Sequence, residues 1–354
     1  TQVWTVPGRG NRPLTATHKE PRALIDQDFT AACNFCSDNM LATPPEKSRI
    51  ISRDGHWEIL RDLMPHELHD TEPLFRRVPN LFEIVSYDYW AQNYGFSMDE
   101  SRAEHMERYL ADEAGRRHVL NIVRTRLKAA GHTEPFSEAD LLSHVPAYFG
   151  GGHDVIIARR HYVDGATDST QLASSGSLSP EEHHAFITFT IDSLHDLYQR
   201  NRYAPYVSVF QNWLAPAGAS FEHLHKQLVA IDEHGVQAEM EIAKLRANPN
   251  MYNEWGINYA SRHNLIIAEN DYAIMAAGVG HRYPTISIYS KSATSEPWLH
   301  STDEVRGMSD LIHAAHAATG PQVACNEEWH HKPIDLDMPM PWRINIKWRV
   351  STLA

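Results

Sequence analysis

The sequence predicts an α+β protein built as two similar halves, each an antiparallel sheet with packed helices, with a helical insertion in the first half. Three observations predict it. "HDVIIARR" at 153–160 and "YVSVFQNW" at 206–213 have the length and the β-branched and aromatic composition of strands. "LSPEEHHAFITFTIDSLHDLYQRN" opens like a helix, with Ser179 as cap, Pro180 at the first position and Glu182 three beyond the cap. The same order of elements then recurs, more weakly, in the last third of the chain.

The first third opens with a Pro/Gly/Arg loop, "VPGRGNRPL", followed by "CNFC" at 33–36 and an expected strand over "LFRRVPNLFEIVSYDYW". From 98 to 145 apolar residues fall at helical spacing and one run ends on Gly131, so one or two helices are expected there. The strand 153–160, the capped helix and the strand 206–213 follow, and the turn "LAPAGAS" leads into "FEHLHKQLVA". In the repeat, "HNLIIAENDYAIMAAG" stands for "PLFRRVPNLFEIVSYD" and "PTISIYSK" for "HDVIIARR". "LHSTDEVRGMSDLIHAAHAA" stands for the capped helix, and "PWRINIKWRV" takes the place of the histidine strand. We divide the chain into a half over 1–250, carrying the insertion at about 98–145, and a half over 251–354 without the histidine motif.

Composition bounds the function. At 354 residues, 42% apolar and 22% charged, the chain has ample material for a core and is not of disordered type. Its 32 basic and 45 acidic residues give a net charge of −13 without a long basic run, which argues against a nucleic-acid or anionic-membrane partner. No apolar stretch is long enough to span a bilayer, and no charged-then-apolar leader opens the chain. The opening "TQVWTVPG" without Met is expected of a sequence with residues missing in front. Three cysteines without an even framework predict a reducing compartment, the cytoplasm.

The chemistry lies in His223, His225 and Gln227. Alternation is the strand period, so the three side chains are expected on one face of an extended segment. In a chain with 23 histidines a His-x-His pair is expected about 1.5 times by chance, and with Gln at the next alternate position only about 0.04 times. The bland reading is a pair of satisfied polar residues on a strand. Neutral imidazole is a nucleophile near pH 7, and Gln can donate to a phosphoryl oxygen without supplying a proton. Cys33 and Cys36, a spacing expected about 0.03 times by chance, are half a tetrahedral zinc site or, alternatively, a redox pair.

The combination "GAS-x-x-H-x-H-x-Q", with "QNW", "GGHDVII", "VPNLF", "CNFC" and "VPGRGNRP" upstream, resembles the galactose-1-phosphate uridylyltransferase-like branch of the histidine-triad (HIT) superfamily. The resemblance covers most of the chain. It implies two HIT-like halves and a nucleotidylyltransferase that moves a nucleoside monophosphate between a nucleotide sugar and a sugar 1-phosphate. It implies a covalent nucleotide on His225, with Gln227 in the place where hydrolytic relatives have a third histidine. By the same resemblance Arg9 and Arg12 grip the nucleotide, Asn80 contacts the base, and Asn212 and Ser220 bond the phosphates. Structural zinc would be held by Cys33, Cys36, His153 and His223. A second metal site, which Glu241 and His330 or His331 would begin, is expected to be missing because "RINIKWR" has Asn345 and Lys347 where a final histidine pair belongs. A homodimer is implied by resemblance alone. The insertion and the early end of the chain depart from the family pattern, as does Lys226 between the two motif residues. A phosphorylase or hydrolase of the same superfamily, or a zinc-stabilised nucleotide-binding protein without turnover, are the competing readings.

Overall fold

A computed structural model describes residues 20–349; Arg9 and Arg12 lie outside the described residues. Eleven strands form one sheet: β1 (Ser48–Arg53), β2 (His56–Arg61), β3 (Phe75–Pro79), β4 (His153–Ala158), β5 (Tyr206–Trp213), β6 (His225–Ile231), β7 (Ile266–Glu269), β8 (Ala273–Ala277), β9 (Thr285–Ser290), β10 (Cys325–His330) and β11 (Arg343–Trp348). All its pairings are antiparallel, in the order β2-β1-β3-β4-β6-β5-β10-β11-β9-β8-β7. From the β5–β10 seam outward the order reads β6, β4, β3 on one side and β11, β9, β8 on the other. The α+β class of two halves is therefore borne out.

The two long helices are α7 (Pro180–Arg200) and α10 (Thr302–Thr319). Each starts at a serine cap, Ser179 and Ser301, closed by a capping box to Glu182 and Glu304. Both lie against one face of the sheet. There Ile50, Phe75, Ile156, Leu228, Val209, Ile344 and Ile288 join Phe186, Leu194, Met308 and Ile312 in a single core. Directly opposed residues share a face, and the register assigns the other face its contents: Arg76, Ile157, His225 and Gln227 in the first half, Glu328, Asn345 and Arg343 in the second. One face is oily and the other polar, so the site falls on the face without the long helices.

The insertion is helical, with three helices within 98–145 where one or two were expected: α3 (Glu100–Ala111), α4 (Glu113–Ala129) and α5 (Glu138–Ser143), which with α6 (Ala147–Gly150) enclose a separate core of Tyr109, Val119, Val123, Leu141 and Phe149. Ion pairs fasten it to the main body, Arg102 to Asp62 at 2.5 Å and Asp99 to Arg200 at 2.5 Å.

Two readings need correction. The strand expected from Leu74 to Trp90 stops at Pro79, because Ser86 caps a helix, α2 (Tyr87–Tyr94), which Gly95 ends at φ +65°. The hairpin β1–β2 was not expected at all, although its turn, Asp54-Gly55 with φ of +50° and +78°, carries the favoured hairpin signal. The remaining helices are short or peripheral: α1 (Asp26–Ala31), α8 (Val236–Ala247) and α9 (Asn258–Arg262).

Candidate catalytic and metal site

"CNFC" forms a turn closed by Cys36 N–H to Cys33 O, and Arg76 on β3 donates to Phe35 O, tying that turn to the sheet. Cys33 and Cys36 meet His223 there, and the fourth member of the cluster is His161. The sulfur atoms are 3.8 Å apart and the Nδ1 atoms of His161 and His223 lie 3.5–3.7 Å from both. A tetrahedral ion with bonds of about 2.0–2.3 Å has edges of about 3.3–3.8 Å, so these residues fit a metal ion of zinc's size and preference. Nε2 of His223 donates to Ala158 O at 2.7 Å, which leaves Nδ1 as the ligand atom. Cys36 is the thiol that ionises first, drawn down by Cys33 and then by the two histidines, and Cys33 is pushed up in turn by Cys36 and by burial.

His153 is not in this cluster. β4 runs antiparallel to β6, with Ile157 opposite His225 and His153 opposite Val229. The same register carries the chain after Ala158 toward His223, so His161 arrives at the cysteines while His153 sits at the far end of the strand. The signal was present in "HDVIIARRHY", which has a histidine at each end; antiparallel pairing selects the second.

His153 has a different set of partners. Its Nδ1 accepts from Ile84 N–H at 3.1 Å, so Nε2 carries the hydrogen and donates to Gln227 Oε1 at 3.0 Å. Asn80 Nδ2 donates to the same oxygen at 3.3 Å, while its Oδ1 accepts from Phe82 N–H. Gln227 is thus held by its oxygen, and its NH2 group makes no hydrogen bond among the described residues. Burial lowers the affinity of His153 for a second proton, which suits this tautomer.

His225 opens β6. Its Nδ1 lies 2.8 Å from His223 O, so Nδ1 holds the hydrogen and Nε2 the lone pair. Nε2 makes no hydrogen bond among the described residues. The residue is 5% exposed, with Phe35 packed edge-to-face on its ring, centroids 5.4 Å apart, and Phe35 in turn stacked on Phe221. Burial pulls its basicity down, against a smaller opposing effect of the His223 carbonyl. The result is a neutral imidazole with one free lone pair.

Asn212, one residue before the end of β5, lies on the same face as His225 and level with it, since Phe210 is opposite Gln227. After it Leu214 adopts φ +65° and ψ 158°, a conformation costing about 1–3 kcal/mol. The strain turns the chain through Ala215–Ala217 and Gly218 to Ser220, which is exposed at the rim. Two cavities flank the β6 strand without being walled by His225 itself. One of about 350 Å³ lies over β3 and β4, lined by Phe35, Arg76, Ile157 and His161. The other, about 520 Å³, lies over β5 and β10, lined by Asn212, Asn326, Glu328, His330 and Arg349.

The residues weighed for a second metal have other partners. Glu241 pairs with Arg343 and also accepts from Gln237 and Tyr252. Burial alone would raise its carboxyl, but Arg343 brings it down to about 2. His330 faces Glu328, His331 accepts from or donates to Tyr198 at 2.8 Å, Lys347 pairs with Glu328, and Asn345 accepts from Ser287.

Comparison with solved structures places this fold. An ADP-glucose phosphorylase from Arabidopsis thaliana, with bound ADP-glucose, superposes with a TM-score of 0.57 at 17% identity, over 99% of this chain and 86% of that one. A galt-like protein from the same organism superposes with a TM-score of 0.55 at 16% identity, over 92% and 84%. At such identities the likeness is one of fold, shared with the ADP-glucose phosphorylase and the galt-like protein. No curated protein matches the sequence. The sequence matches the family described as "Domain of unknown function (DUF4921)" over residues 1–354.

Proposed function

We propose that this chain, which belongs to the DUF4921 family, is a nucleotidylyltransferase working through a nucleotide held covalently on His225. The observation that carries the reading is the pairing of His225 Nδ1 with His223 O, which leaves the Nε2 lone pair without a hydrogen bond among the described residues. In the reaction Nε2 attacks the α-phosphorus of a nucleotide sugar, and the bond from that phosphorus to the bridging oxygen breaks. The sugar 1-phosphate leaves with the electron pair. Imidazole needs to lose no proton in this step, because Nδ1–H stays on the His223 carbonyl. A phosphate oxygen of the acceptor then attacks the same phosphorus and frees His225 with its lone pair restored. Gln227 donates to the phosphoryl oxygens in both steps, its own oxygen being held by His153 and Asn80.

Asn212 and Ser220 are assigned to the phosphates, Asn80 to the base side, and Arg9 and Arg12 to the nucleotide. Cys33, Cys36, His161 and His223 would hold zinc, which supplies a fixed crosslink between the N-terminal segment and the catalytic strand. The acceptor is a sugar 1-phosphate or, as in the phosphorylase of the same fold, inorganic phosphate. That Cys33, Cys36 and Cys325 form no disulfide supports a reducing, cytoplasmic setting; among the described residues no helix is long and apolar enough to cross a membrane. A homodimer is part of the reading by resemblance.

Intact-mass analysis after mixing with a panel of nucleotide sugars tests the reading. A gain of one nucleoside monophosphate, acid-labile and absent from His225→Ala, is the expected result. Nucleotide binding without any adduct would overturn turnover in favour of a binding protein.

A further inference from the structure

We infer that Asn326, from the second half of the chain, is a positioning residue for the transfer at His225: it fixes the amide of Asn212 so that its NH2 group faces the phosphates. The inference rests on the nucleotidyl-histidine reading above. Asn326 lies directly opposite Asn212 across the β5–β10 seam, on the polar face, and is 7% exposed. Its Nδ2 donates to Asn212 Oδ1 at 2.7 Å and to Ala217 O at 2.8 Å, and its Oδ1 accepts from Arg349 Nη1 at 3.0 Å.

The two ends of an amide have nearly the same shape, and only their partners tell them apart. Here the partners allow one answer. A backbone carbonyl can only accept and a guanidinium can only donate, so the NH2 of Asn326 must face Ala217 and its oxygen must face Arg349. Asn212 is then presented with an NH2 group and must answer with its oxygen. Its own NH2 is left over and makes no hydrogen bond among the described residues. It points at the turn that leads to Ser220 and the histidines, since a Cβ on Gly218 would lie 3.7 Å from it. Turning Asn212 over would set two NH2 groups against each other and forfeit the bond. Arg349 is itself anchored, with its backbone N–H on Ala324 O and its guanidinium over the Tyr283 ring at 4.5 Å. The half that lacks the histidine motif thereby sets the direction of a donor in the half that has it, much as His153 does for Gln227.

The test uses the full chain and the variants Asn326→Asp, Asn326→Ala, Asn212→Ala and the double variant Asn212→Ala/Asn326→Asp. Aspartate at 326 keeps an acceptor for Arg349 but offers a second acceptor to Asn212, which then turns its NH2 away from the site. Single-turnover formation of the His225 adduct is expected to slow about 10²-fold in Asn326→Asp. The dissociation constant of the donor should stay within about threefold, because the donor acts mainly on the charge developed in transfer. Asn326→Ala, which only loosens Asn212, is expected to lose less, and it serves should the aspartate variant fail to fold. The double variant should be no slower than the slower single variant. Adduct formation at the unsubstituted rate in both Asn326 variants, or losses that multiply in the double variant, would overturn the inference alone. No adduct in the unsubstituted chain would remove the nucleotidyl-histidine reading, and this inference with it.

Discussion

His225 and Gln227 are each held by one atom and free at the other, and that is the residue-scale basis of the proposed chemistry. Burial depresses the basicity of His225 below that of an ordinary histidine, so its lone pair stays free on the acid side of neutrality. The adduct-forming rate is therefore expected to be flat from pH 8 down through 6.5 and to fall only below that, as the ring takes up a proton. A rate already halved at pH 7 would contradict this. Lys226 illustrates the other side of the strand. It is buried with Glu327 at 2.5 Å, and His316 and Trp329 also bond that carboxylate. Removing Glu327 by substitution with Ala leaves an uncompensated buried ammonium and is expected to lower stability by about 3–5 kcal/mol in urea titration. The departure that made Lys226 look foreign to the motif is thus a matter of the core, whose partner lies 101 positions along the chain. Nothing in the local sequence points to it.

At the scale of elements, the direction of β4 decides which histidine joins the cysteines. His161→Ala is expected to lose bound metal, read by elemental analysis of the purified protein, and to loosen the N-terminal turn. His153→Ala is expected to keep one metal per chain while adduct formation slows about 10–100-fold through Gln227. The reverse pattern would return the zinc ligand to His153. Element types were legible where caps and periodicity agreed, as at Ser179 and Ser301. The motif strand was legible because three alternating polar residues rarely arise together. Pairing partners were not: strand direction is a property of the sheet, and a histidine four to eight residues astray looks equally good in one dimension. The Asp54-Gly55 hairpin was legible in principle, since both residues favour positive φ, and the polar turn stood between two apolar runs.

Across the whole molecule, many histidines are buried and held neutral. Burial lowers His105, His118, His153, His183, His223, His225, His330 and His331, the last to about 3. In each case the unfolded chain binds the proton more readily than the folded one. Their contribution is present above about pH 6.5, the value of an exposed histidine, and is lost progressively as pH falls below it. His234, raised by Asp335 and Glu239 against a burial effect of opposite sign, works the other way, alone among the histidines of the described residues. The urea midpoint is therefore expected to fall steadily from pH 7 to pH 5, before the depressed carboxylates Asp196, Glu241 and Glu327 begin to protonate. A midpoint constant over that range would mean these rings are hydrated.

The seam between β5 and β10 has one more consequence. Because the halves share a ladder of main-chain hydrogen bonds from Phe210–Trp213 to Cys325–Glu328, they cannot swing apart about a hinge as separate lobes do. On the proposed reading, admission of a substrate is then left to the short peptides beside the motif strand, Asn80 to Ser86 next to Gln227 and Leu214 to Glu222 before the histidines, while the sheet beneath them keeps its shape.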